Sequence, residues 1–355
     1  MKMPNGKDAI GFFEKNGLRR GEFYLQKPVS KVLKIEWNSD STIFAVHFRT
    51  ENDEKIIQLW TSSNYKWQLK KEWNDSNIKE FLWDPISSMT FYIIKIDEAL
   101  KYELKWKIHK SQGLNSEDLS YVAIIDGPIL KVTPFREMIV PPPISAFELH
   151  HEENIKDIVF SSFNDSNSMI VLTTSLEAFI YDINGLDEEK ISAKITGAGG
   201  AGFVPKCTTL KLVKKVKIQT ENQAELYNFC WNSRNSVWAT SGQLLHQIDL
   251  QEGKIIESLM SEDCISNIVS WTKNDSIISV LTDGSLLGVE NSVLCPLENF
   301  EKFPKPCSYI QMFEDFVIGL DEKNQRLYIN SKGMCEISRT SYFNFLNQHF
   351  YPFPK

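Results

Sequence analysis

The sequence lacks an excess of positive charge, long apolar runs and most helix signals. Its 39 Lys and Arg are outnumbered by 46 Asp and Glu, giving a formal net charge of −7. That balance argues against the chain as a whole being a general polyanion binder. No stretch approaches about 18 consecutive apolar residues, so no helical membrane span is expected. Met1 to Lys7 has no apolar core of the kind a secretory leader needs. No CxxC pair occurs among Cys207, Cys230, Cys264, Cys295, Cys307 and Cys335. An even count would allow disulfides, but the strand-like text around these residues favours reduced thiols in a cytosolic protein.

Signatures of catalysis are also scarce. No GxSxG, HExxH or Walker loop is present. The run Gly197-Ala-Gly199-Gly-Ala-Gly202 is a formal GxGxxG, with Glu221 downstream. A dinucleotide site needs that loop to open a helix facing the pyrophosphate. Here Pro205 and β-branched residues follow instead, so a plain loop is expected and no cofactor. The histidines are His47, His109, His150, His151, His246 and His349. Adjacent residues on a strand point to opposite faces, so His150 and His151 would not chelate one ion. No metal site and no catalytic residue are expected. Asp126-Gly127 and Asp283-Gly284 read as hairpin turns. The Asn-Asp-Ser sequons at Asn74, Asn164 and Asn274 read as turns too, since each lies between apolar stretches.

What the chain does have is aromatic residues, 22 Phe, 11 Tyr and 9 Trp, a density that favours strands. Apolar residues come in short, often alternating runs broken by Asn, Asp, Ser and Gly. Ile10 to Lys15 leads into Asn16-Gly17, and Glu22 to Leu25 returns, which predicts a hairpin with a type I′ turn.

A repeat follows. Val32 to Trp37, Ile78 to Trp83, Leu226 to Trp231 and Ile265 to Trp271 are strand-like runs ending in Trp. Ile155 to Phe160 has the same form with Phe. Each runs into a polar turn and then a second apolar strand. A third strand often follows, as in Ile56 to Trp60, Ala178 to Asp182 and Leu286 to Glu290. One small antiparallel sheet cannot bury both of its faces, so successive sheets must stack, with the terminal aromatic filling the gap between them. The expected fold class is therefore all-β, built of WD40-like β-propeller blades. Unrelated strands in sandwiches are the alternative, but they do not require the same unit five times.

The aromatic positions are spaced by 46, 77, 71 and 40 residues. The short intervals match one blade of about 40–50 residues, and the long ones leave room for a degenerate blade between. A single seven- or eight-bladed ring is compatible with that count. Val140-Pro-Pro-Pro143 cannot continue an interior strand, because proline lacks the donor and fixes φ. It marks either a boundary or a stiff loop between blades.

One basic segment stands out. Lys211, Lys214, Lys215 and Lys217 lie on a strand-like run, and period-two counting puts Lys211, Lys215 and Lys217 on one face. They are the candidate nucleic-acid contact. A solvated face that protects a sheet edge is the competing reading.

At this point the chain resembles the N-terminal propeller region of the largest subunit of the Elongator complex, the IKAP family. The resemblance rests on Phe12 to Leu18 with Gly21, Gln58 to Thr61 with Asn64 to Trp67, and Trp83-Asp-Pro85. It continues in Asp118 to Gly127, Val140 to Pro143, Gly197 to Phe203 and Phe303 to Cys307. These pieces are collinear and cover nearly the whole chain; Asp182 to Ala193 and everything after Ser338 depart from the pattern. The resemblance implies parts of two tandem propellers: residues 1–143 as the C-terminal blades of a first, and 144–355 as a second, incomplete one. It implies a fragment of a longer protein, whose dimerising helical repeats and basic tRNA-binding segment lie outside this chain. It also implies a non-catalytic scaffold in a cytoplasmic complex that modifies wobble uridines of tRNA. The chemistry would belong to a radical-SAM subunit, the other subunits would be the partners, and contact with tRNA would be indirect. An RNA-binding module working through the lysine strand is the alternative function, and a propeller hydrolase would need titratable groups converging on an axis.

Overall fold

The computed structural model describes residues 8–63, 66–111, 118–136, 145–161, 168–183, 210–220, 225–231, 233–271, 276–304, 307, 309–313, 316–321, 326–330 and 334–338. Among them there is no helix, and every regular element is a strand. They group into two compact units. The first draws on Met1–Trp106 and Tyr121–Ile155, the second on Lys107–Ser120, Lys156–Leu186 and Leu210–Lys355.

The first unit opens with a hairpin of β1 (Ala9–Phe13) and β2 (Arg19–Tyr24). A four-stranded antiparallel sheet follows: β3 (Val29–Trp37), β4 (Phe44–Thr50), β5 (Lys55–Ser63) and β6 (Lys66–Asn74). Next comes a three-stranded sheet of β7 (Ile78–Trp83), β8 (Thr90–Lys95) and β9 (Ala99–Glu103). After the short β10 (His109–Lys110), which belongs to the second unit, β11 (Tyr121–Asp126), β12 (Ile129–Pro134) and β13 (Phe147–His150) pair in order.

Strand β4 shows why these sheets stack. Phe44, Val46 and Phe48 face the hairpin's Phe23 and Leu25, while Ala45 faces Ile78, Phe81, Phe91 and Ile93 of the next sheet. With both faces covered, the strand is apolar from Phe44 to Phe48 apart from the buried His47. Each large side chain buried this way contributes roughly 1.5–3 kcal/mol.

The hairpin turn differs from expectation. Only Gly17 of the Asn16-Gly17 pair has positive φ, at +86°. The Gly17 N–H donates to Glu14 O at 2.9 Å and the Glu14 N–H to Leu18 O at 2.8 Å. This is a three-residue loop with Gly17 at its left-handed position; a separate register shift between Phe12 and Phe13 skips Arg20. A type I′ turn would need positive φ at Asn16 as well.

The second unit, which holds β14 (Ile155–Phe160) apart from its first residue, repeats one four-stranded scheme. The first sheet continues with β15 (Ser168–Thr173), β16 (Glu177–Asp182) and β17 (Lys211–Lys217). The next holds β18 (Tyr227–Cys230), β19 (Ser236–Ser241), β20 (Leu244–Asp249) and β21 (Ile255–Met260). It is followed by β22 (Ile265–Trp271), β23 (Ser276–Leu281), β24 (Leu286–Glu290) and β25 (Val293–Pro296). The last comprises β26 (Tyr309–Phe313), β27 (Phe316–Asp321), β28 (Arg326–Asn330) and β29 (Met334–Ser338). Three apolar layers separate these four sheets in succession. In β19, Val237 and Ala239 enter one layer and Trp238 the next, so a single strand serves two neighbours. These are propeller blades of the WD40-like kind.

The recurring aromatics fill the layers, but not all in one direction. Trp231 is buried against Ile170 and Leu172 of the preceding sheet, whereas Trp271 packs with Phe303 and Ile310 of the following one. Trp83 lies between the β3–β6 and β7–β9 sheets. Trp37 is partly exposed, its ring 4.9 Å from Phe44 and 6.2 Å from Phe12.

The two long intervals have different origins. The β11–β13 sheet occupies the one between Trp83 and Phe160. The interval between Phe160 and Trp231 holds no additional sheet among the described residues, because β16 and β17 are neighbours in one sheet although residues 184–209 separate them in sequence. Residues 197–202 and Val140 to Pro143 lie outside the described residues.

Candidate interaction surfaces

The Asp-Gly turns, read from sequence as simple hairpins, prove to be clips between blades. The β11–β12 turn starts at Asp126-Gly127, where Gly127 has φ +60°. The Gly127 N–H donates to Leu69 O at 2.8 Å, and Asp126 Oδ1 accepts the Leu69 N–H at 3.0 Å. Asp126 Oδ2 also lies 2.6 Å from Lys131 Nζ, and both side chains are largely buried. Lys70 donates to Ile125 O at 2.7 Å; burial pushes its ammonium down to about 8, against the opposing pull of Asp126. A Cβ on Gly127 would meet Gln26 Nε2 at 2.7 Å.

Gly284 repeats the device in the second unit. It has φ +91°, and its carbonyl accepts the Phe303 N–H at 2.9 Å. A Cβ there would stand 2.1 Å from Phe303 O. Beside it, the Asp283 carboxylate is held down to about 2, chiefly by the hydrogen bond from Lys302 and then by the Ser285 N–H. Phe303 and Cys307 are both buried in the layer between the last two sheets, and a Cβ on Gly319 would strike the Cys307 sulfur at 2.5 Å. Asp126-Gly127, Phe303 and Cys307, which belong to segments that carried the family resemblance, are thus packing residues.

Several titratable groups of the blades are buried. His47 is buried, and desolvation, then Lys55, push it down to about 4, so it is neutral at physiological pH. His150 is exposed and His151 half-buried, as alternation requires. His246 Nδ1 lies 2.8 Å from Ser258 Oγ within its own sheet. Cys230, Cys264 and Cys295 are free thiols, and burial pushes the thiols of Cys230 and Cys307 up to about 12. Among the described residues, no group of three or more His, Cys, Asp and Glu side chains could hold a metal ion.

The lysine strand is β17, the outermost of its sheet. Phe179 pairs with Lys215 and Ile180 with Lys214, but Tyr181 pairs with Leu212 and Asp182 with Lys211. Val213 is therefore a bulge, and it reverses the face of everything before it. Lys215 and Lys217 share the face of Phe179, whereas Lys211 joins Lys214 on the face of Ala178. The single face counted for Lys211, Lys215 and Lys217 does not exist. A two-residue period cannot reveal a bulge.

Three of these ammonium groups are held within the protein. Lys215 Nζ is 2.9 Å from Glu177 Oε2 and 4.9 Å above the Phe179 ring. Lys214 donates to Gln251 O at 3.1 Å and Lys217 to Ser175 O. Between Lys211 and Lys214, Leu212 and Val213 are 48% and 60% exposed. Exposed aliphatics recur on the outermost strands of the next two sheets, at Ile256 and Met260 of β21 and Val293 of β25. Sequence reasoning missed these residues, because apolar character alone does not separate an outer edge from a core.

Residues 2–86 match the family model described as the ELP1 first N-terminal beta-propeller, and residues 124–346 the ELP1 N-terminal second beta-propeller. The chain is 28% identical to Elongator complex protein 1 of Oryctolagus cuniculus over 377 residues, covering 92% of this chain and 28% of that protein. For the Schizosaccharomyces pombe protein the identity is 30% over 342 residues, covering 92% of this chain and 25% of the relative. The chain thus spans about a quarter of the length of these relatives. Two stacked-blade regions, matched in order along nearly the whole sequence, place this chain in the Elongator complex protein 1 family.

Proposed function

We propose that the chain is a non-catalytic scaffold region of an Elongator complex. Residues 1–143 would be the later blades of a first propeller and 144–355 a second, with the other Elongator subunits as partners. In this reading it supports tRNA wobble-uridine modification in the cytoplasm through protein contacts, and the reaction takes place on another subunit. One observation carries the proposal: Asp126 and Asp283 sit at turns that tie one sheet to the next, while the last strands of three successive sheets expose aliphatic side chains. Exposed apolar patches on a soluble fold are the usual footprint of a protein contact.

The test is co-purification of a tagged full-length protein from its own cells. Recovery of the other Elongator subunits in fixed proportion is the expected result. A monomeric protein with turnover of its own would overturn the reading.

A further inference from the structure

We propose that β17 accepts an extended acidic segment of a partner protein, rich in aliphatic residues, as an added strand along its outer edge. The strand carries four lysines and no carboxylate. Gln251 O and Ser175 O orient the Lys214 and Lys217 ammoniums but, being neutral, cancel neither charge, and the carboxylate across the sheet from Lys217, that of Glu177, is bound to Lys215. Among the described residues, Lys215 is the one lysine of the strand with a carboxylate bound to it, that of Glu177. Lys211 is exposed at the start of the strand.

Edge lysines and a bulge ordinarily repel a further strand. Against an acidic strand the same lysines attract, so the edge discriminates by charge while main-chain hydrogen bonds supply affinity. Leu212 and Val213, set between Lys211 and Lys214, then give the added strand an apolar contact. This arrangement fits a peptide better than a nucleic acid. The bulge divides the lysines between two faces, so they form no single track for phosphates. The strand itself has no aromatic residue for base stacking, and the Phe179 ring lies beneath Lys215.

The proposal names the partner chemistry of one surface and rests on the scaffold reading only in taking a protein as the ligand. It is tested on the whole chain with a capped decapeptide alternating glutamate with valine, followed by fluorescence anisotropy and hydrogen exchange. Binding should protect residues 211–217, and Lys211→Glu should weaken it about fivefold or more. Val213→Ser should weaken it too while leaving every charge in place. Both substitutions fall on exposed side chains. Absence of binding up to about 1 mM, protection confined to other strands, or indifference to Val213→Ser would overturn strand addition. So would a single-stranded RNA decamer that protects β17 at lower concentration than the peptide. None of these failures affects recovery of the Elongator subunits, so the two readings fail separately.

Discussion

Gly17 and Gly284 both have positive φ, +86° and +91°, yet only one of them is crowded. Nothing lies within 4 Å of a Cβ built on Gly17, whereas one on Gly284 would collide with the Phe303 carbonyl. Gly17→Ala should therefore cost only the left-handed strain, about 1–2 kcal/mol. Gly284→Ala must also break the clip to Phe303 and should cost at least about 3 kcal/mol, read from urea unfolding of the two variants. His47 supplies a pH test. Its folded value of about 4 lies below the ordinary 6.5, so the unfolded chain binds more protons between those limits. Its contribution is present above about pH 6.5 and is lost as pH falls toward 4. The urea midpoint should decline across that window by the equivalent of about 2–3 kcal/mol, and His47→Leu should remove that component. At this scale the sequence was legible where residue chemistry is local, as in the Asp-Gly turns. It was silent on Leu69 as the partner of Asp126, because the contact joins residues 57 apart.

Strands and their order were more legible than their edges. The aromatic-ended strand, the polar turn and the second strand could be read from β3–β4, β7–β8 and β22–β23, since the first strand of each pair ends in Trp and the second is buried between sheets and carries an apolar run. Outer strands such as β17 and β21 are covered less completely and carry mixed residues, so they left a weaker signal. The bulge at Val213 and the long path from β16 to β17 were hidden for a related reason: register is set by pairing across strands, not along one. At the β11–β12 turn, Asp126→Ala would strand the buried Lys131 ammonium, at a cost of about 3 kcal/mol or more. Asp126→Asn keeps an acceptor for the Leu69 N–H and should lose less. The comparison is read from thermal unfolding, and equal losses would mean that the ion pair contributes little.

For the molecule as a whole, each sheet of the second unit depends on its neighbours for cover, as in other repeat folds. Family membership was legible in short collinear segments, and some of their residues, Asp126-Gly127, Phe303 and Cys307, hold neighbouring sheets together. The two compact units interleave along the chain, since Lys107–Ser120 belongs with strands that follow it much later. The most direct test of mutual burial is native-state hydrogen exchange of Phe303→Ala, which empties the layer between the last two sheets at a cost of about 3–5 kcal/mol. Faster exchange in β23 and β24 together with β27 and β28 is the predicted result. Faster exchange confined to one of those sheets would show that the blades stand independently, and would contradict the account.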